Sequence, residues 1–141
     1  MLTEEIIWQP LSEIALVAGL IEGGLADTRE HLSTLTSARE QPHVLDDATI
    51  DRVERVHTEQ LEFIDIYAQQ LRRWRNEGPS AAQLRELDRL EEQNRQLKAV
   101  TVDVIMLAAK LRKGTIDRIL EMSDLELGLQ AVLGTQPGRR G

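Results

Sequence analysis

Asn76-Glu77-Gly78-Pro79-Ser80 ends one helix, turns the chain and starts another within five residues. Gly78 suits the left-handed backbone that follows a helix C-terminus, Pro79 cannot continue a helix, and Ser80 belongs to the small set of residues that cap a helix N-terminus. So short a link forces the flanking segments into an antiparallel hairpin.

Both flanks carry the periodicity this requires. Upstream, Ile50, Val53, His57, Gln60, Ile64, Tyr67, Leu71 and Trp74 fall on one seam, flanked by Val56, Leu61 and Phe63, and Arg72, Arg73 and Arg75 sit near the negative end of the dipole. Downstream, Leu84, Leu87, Leu90, Asn94, Leu97, Thr101, Val104, Ala108 and Leu111 recur in steps of three and four. Before the hairpin, Gln41-Pro42-His43 interrupts the chain, and Asp46-Asp47 supplies an N-cap and a dipole partner. A first helix starts at Pro10 and carries Leu11, Ile14, Ala18, Ile21, Leu25, Leu32 and Leu35, with Thr28 breaking the seam. Each helix is roughly 40–48 Å long at about 1.5 Å per residue, and matched lengths imply side-by-side packing. Gly19, Gly23 and Gly24 lie inside the first helix and suggest a close helix approach or a bend.

After Leu111, Lys113-Gly114 ends or kinks the third helix, and Thr115 caps a short turn bearing Ile116, Ile119 and Leu120. Ser123-Asp124-Leu125-Glu126 fits a capping box that opens a final helix, closed by Gly134. On it Leu125, Leu129, Val132 and Leu133 share a face, whereas Leu127 does not. The expected fold is all-α: an antiparallel bundle of three long helices plus a short C-terminal helix, packed as a partial fourth or in an oligomer interface. Residues 1–9 form an N-terminal arm, 10–134 a single helical domain, and 135–141 a disordered tail.

Composition agrees with a bundle. The chain is 41% hydrophobic but only 3% aromatic, so Leu, Ile, Val and Ala must fill the core. The net charge of −7, with basic residues close to acidic ones, offers no electrostatic footprint for nucleic acid. The absence of cysteine removes disulfides and thiolate chemistry. Met1-Leu2-Thr3-Glu4-Glu5 is acidic where a signal peptide is basic, and the apolar run Ile14 to Ile21 is closed by Glu22 at about half the length of a membrane span. A cytoplasmic protein without a membrane span is expected.

Chemistry-bearing motifs are few. Glu54-x-x-His57 places a carboxylate and an imidazole on one helix face, as di-iron bundle proteins do, but no second Glu-x-x-His accompanies it. The competing expectation is a polar layer in the seam, His57 and Gln60 meeting Asn94 of the third helix or Thr28 of the first. Each serine is explained as a cap, a turn residue or helix surface, so no nucleophilic triad is expected. Gly23-Gly24 has neither a preceding strand nor a following Lys-Ser/Thr, so no phosphate loop and no cofactor are expected.

Two segments are apolar beyond the needs of three helices: Ile6-Ile7-Trp8, and the face of Leu125, Leu129, Val132 and Leu133. They fold back on the bundle or cover a partner or a second copy. The long hairpin and Glu91-Glu92-Gln93-Asn94-Arg95 resemble flagellar export chaperones, small bacterial helical proteins that hold secretion substrates; that resemblance implies a client protein as partner. The expected function is non-enzymatic protein–protein interaction, as a self-assembling homo-oligomeric, coiled-coil-like unit or an adaptor. The alternatives are an export-type chaperone and a bundle-core metalloprotein around Glu54 and His57.

Overall fold

The hairpin forms where the five-residue link places it. In this computed structural model, which describes residues 6–133 apart from the side chains of Pro42, Leu127, Gln130, Ala131 and Leu133, helix α1 spans Ile14–Ser37, α2 Asp47–Arg75, α3 Ala81–Leu111 and α4 Ile116–Leu133. No strand occurs among the described residues. Gly78 has the positive φ of 68° that turns the chain out of α2. Ser80 caps α3, its hydroxyl accepting from Gln83 N at 3.1 Å while Gln83 Oε1 accepts from Ser80 N at 2.9 Å. Asp46 caps α2 by accepting from Thr49 N at 2.8 Å, and these bonds hold its carboxyl below the ordinary range. Pro10 precedes a short 3-10 turn, Leu11–Glu13, that leads into α1.

The three long helices pack against each other in up-down-up order, with α1 and α3 parallel and α2 antiparallel to both. At one end Val17, Ala18 and Ile21 of α1 meet Leu71 and Trp74 of α2 and Leu87 and Leu90 of α3. In the middle Leu25, Ile64, Leu97 and Val100 close the core, and at the other end Leu35 meets Ile50, Val104, Ala108 and Leu111. Ion pairs brace the flanks: Arg75 with Glu91 at 2.8 Å across the hairpin, Arg89 with Glu22 at 2.7 Å, and Arg112 with Glu54 at 2.6 Å.

The third helix ends as its sequence implies, in a 3-10 turn over Arg112–Gly114. Past this turn the structure differs from the sequence-based expectation. Ser123 opens no helix; α4 starts at Ile116 and runs without a break past it. The start is set by Thr115, which is extended, and whose hydroxyl accepts from Arg118 N at 3.3 Å. A Ser-x-x-Glu spacing also places both residues on one surface of a helix interior, so the capping-box pattern alone does not mark a terminus. Gly134 and the 135–141 tail lie outside the described residues.

The glycines of α1 also depart from expectation. A methyl at Gly19 or Gly23 would meet nothing within 4 Å, and one at Gly24 would make ordinary contacts with Leu97 at 3.5 and 3.6 Å. No close helix approach requires them. Gly19→Ala and Gly23→Ala should therefore each stabilise the protein by about 0.8–1 kcal/mol through helix propensity, whereas Gly78→Ala should destabilise it by about 1 kcal/mol. Denaturant unfolding of the three variants checks both signs.

Candidate functional site

Side chains join α1 and α2 through a polar band, and an apolar groove opens beside it. Gln60 of α2 reaches between the other two helices: its Nε2 donates to Thr28 Oγ1 of α1 at 2.9 Å and to Thr101 Oγ1 of α3 at 2.7 Å. Thr28 and Thr101 are fully buried, and the Thr101 hydroxyl donates in turn to Leu97 O at 2.6 Å. One amide thus ties three helices at a single level.

One turn away, His57 is buried and His31 is exposed. His57 Nδ1 donates to Val53 O at 2.7 Å; a carbonyl can only accept, so the proton resides on Nδ1. His57 Nε2 is then the acceptor for His31 Nδ1 at 3.1 Å, with the rings edge to face. Burial pushes the His57 pKa down, the bond to Val53 opposes this, and the nearby His31 pushes it down further.

Of the residues expected to form one layer, His57 and Gln60 are adjacent but Asn94 is elsewhere. It lies in the α2–α3 interface and donates to Ile64 O at 3.1 Å. His31 and Thr101 are the participants that sequence reasoning missed; each is polar at a helical position whose facing partner depends on inter-helix register. Glu54 is not brought to His57: its carboxylate accepts from Arg112, which also binds Asp51 at 2.8 Å. Among the described residues no three His, Cys, Asp or Glu side chains gather as metal ligands do.

Beside the histidines a cavity of about 310 Å³ opens between α1 and α2, lined by Leu35, Leu45, Val53 and Val56, with Thr34, Thr49 and Arg52 also on its wall. Val56 is 44% exposed. Phe63, two turns after Val56, and Leu20, three turns before His31, are also exposed and continue the apolar surface along the same side of the bundle.

The two additional apolar segments have different environments. The N-terminal arm is fixed at the far end of α2: Gln9 O accepts from Trp74 Nε1 at 2.9 Å, and Gln9 N donates to Gln70 Oε1 at 2.7 Å. Trp8 lies under the Arg73 guanidinium, 4.1 Å from its ring centre. Ile6 is half-buried and Ile7 exposed. By contrast, among the described residues the bonds of α4 to the bundle come from its first turn and from Thr115 just before it. Asp47 N donates to Asp117 Oδ2 at 2.7 Å, Asp47 Oδ1 accepts from Thr115 at 2.8 Å, and Ile116 N donates to Leu45 O at 2.7 Å. Beyond that turn Leu120, Met122, Leu125, Leu129 and Val132 are 55–82% exposed. Leu133 ends the helix, its side chain outside the described set.

No protein family, curated protein or solved structure matches this chain. The Glu91–Arg95 stretch has bundle-internal roles: Glu91 pairs with Arg75, Glu92 with Arg95, and Asn94 bonds Ile64 O. No helix among the described residues is long and apolar enough to cross a membrane.

Two measurements test the polar band. Gln60→Leu removes the donor to two buried hydroxyls and should destabilise the fold by about 1–3 kcal/mol, whereas adding Thr28→Val and Thr101→Val should recover most of that loss. Chemical denaturation of the single and triple variants reads this.

The second concerns pH. Because the folded-state pKa of His57 lies below the unfolded value of 6.5, the unfolded chain binds the proton first as pH falls. Stability is then full above 6.5 and declines as pH drops through the folded-state pKa. The melting temperature should fall as pH drops below about 6.5, above the main carboxylate range, and His57→Asn, which keeps a donor for Val53 O, should flatten that slope.

Proposed function

We propose that the protein acts by binding protein, through the apolar face of α4, and that its first partner is another copy of itself. The observation that carries this is the row Leu125, Leu129 and Val132, spaced by four and three residues and 74%, 55% and 82% exposed. A helix with this much bare apolar surface, bonded to its own bundle at its first turn among the described residues, is stabilised by what it docks against. The polar band fits a structural role, since its buried donors and acceptors are engaged with one another and fix the scaffold that presents α4.

Light scattering coupled to gel filtration tests the reading. The full chain should show twice its 16.0 kDa mass, and Leu125→Glu with Leu129→Glu should return it to the monomer mass with helicity by circular dichroism unchanged. A full-length monomer across the accessible concentration range would overturn self-association.

A further inference from the structure

We infer that the α1–α2 groove is the seat for α4 of a second copy of this chain, so that two copies exchange their C-terminal helices across a two-fold axis. This rests on the self-association proposed above and names the receiving surface.

Three observations converge on it. The bundle's cavity between α1 and α2 and the projecting helix are both apolar, and among the described residues neither covers the other: none of α4 lines the cavity, and Leu120, Met122, Leu125, Leu129 and Val132 are exposed. The charges are also complementary. The cavity wall carries the cation Arg52 and no carboxylate, whereas the exposed part of α4 carries Glu121, Asp124 and Glu126 and no basic residue. Finally, the root of α4 is fixed by the Thr115, Ile116 and Asp117 bonds to Leu45 and Asp47. Leu45 itself lines the cavity. The exit of one helix and the groove that receives the other are therefore neighbours on each copy, which suits a closed two-fold exchange with the same contact made twice. By helical spacing the exposed Leu20 and Phe63 continue the apolar side beyond the cavity, and at about 1.5 Å per residue the part of α4 past its anchored first turn reaches roughly 21 Å along it.

The chain has no cysteine, so introduced thiols report cleanly. Val56→Cys in one chain, carrying a size tag, is mixed with untagged Leu125→Cys or Leu129→Cys and mildly oxidised; Ala109→Cys, on the exposed side of α3, replaces Val56→Cys as the control. The expected result is a mixed-size disulfide dimer for at least one Val56 pair and none for the control. Val56→Glu, which sets a carboxylate against the acidic helix, should weaken dimerisation about tenfold or more while leaving helicity unchanged.

Equal cross-linking by Ala109→Cys would overturn the seat as non-specific. A disulfide that forms only within one chain carrying both Val56→Cys and Leu125→Cys would overturn it in favour of a fold-back helix. A dimer by light scattering that yields no Val56 cross-link and is unaffected by Val56→Glu would overturn the groove as the seat yet leave self-association standing. A full-length monomer would remove both.

Discussion

The amide of Gln60 sets the register on which the remaining packing depends. Apolar seams built from Leu, Ile, Val and Ala are nearly indifferent to a slide of one heptad, about 10 Å along a helix. Gln60 is not indifferent, because its two amide hydrogens reach hydroxyls on two different helices at the same level. Sliding α2 against either neighbour would bury a donor without an acceptor, at about 1–3 kcal/mol per group. The adjacent His31–His57 bond applies the same restraint one turn along, but only to α1 and α2. With register set, Leu35 falls opposite Ile50 and Ala108, and Trp74 opposite Ile21 and Leu87. The ends of the three helices then coincide.

That coincidence of ends creates the junction from which α4 departs. The N-terminus of α2 and the C-terminus of α3 meet at one end of the bundle, and the polar groups exposed there satisfy each other: Asp47 serves both Thr115 and Arg118, while Asp117 returns a bond to Asp47 N. Two helix starts thus share their capping groups, an arrangement favoured because both positive dipole ends are served by carboxylates. The junction fixes the first turn of α4. The described side chains of its later turns are exposed, and an isolated helix of this length is marginal in water. In the proposed dimer its stability would come from the copy that covers Leu125, Leu129 and Val132.

Much of the bundle could be read from residue spacing because a helix seam repeats with its own period and the hairpin turn is short. Gly78, Ser80 and Asp46 act through backbone geometry within a few residues, so their roles were visible locally. The partners of the polar seam residues were not. Gln60 could have met Asn94 or Thr28 on spacing alone, and only the inter-helix offset places Thr28 and Thr101 beside it while moving Asn94 to Ile64. The cap at Thr115 was legible, but the continuity of α4 was not: Ser123 and Glu126 satisfy a capping pattern, whereas the turn begun at Thr115, which also bonds Asp47 sixty-eight residues earlier, runs on through them. The three glycines of α1 misled in the other direction, since open solvent at Gly19 and Gly23 leaves no trace in sequence.

In the proposed dimer, charge would explain how so much apolar surface can be specific in what it binds. A chain with net charge −7 repels its copies at long range, and the acidic flank of α4 adds to that repulsion wherever the opposing surface is also acidic. Only a surface with apolar floor and basic rim reverses the sign at close range. On the described bundle the α1–α2 groove has that combination, with Arg52 on its wall, whereas the α2–α3 side presents Asp65, Arg95 and Lys98 around a more polar hollow. Repulsion elsewhere and attraction at one groove would let α4 discriminate by electrostatics while its leucines supply the affinity, the division of labour expected when charges select a partner and apolar burial holds it.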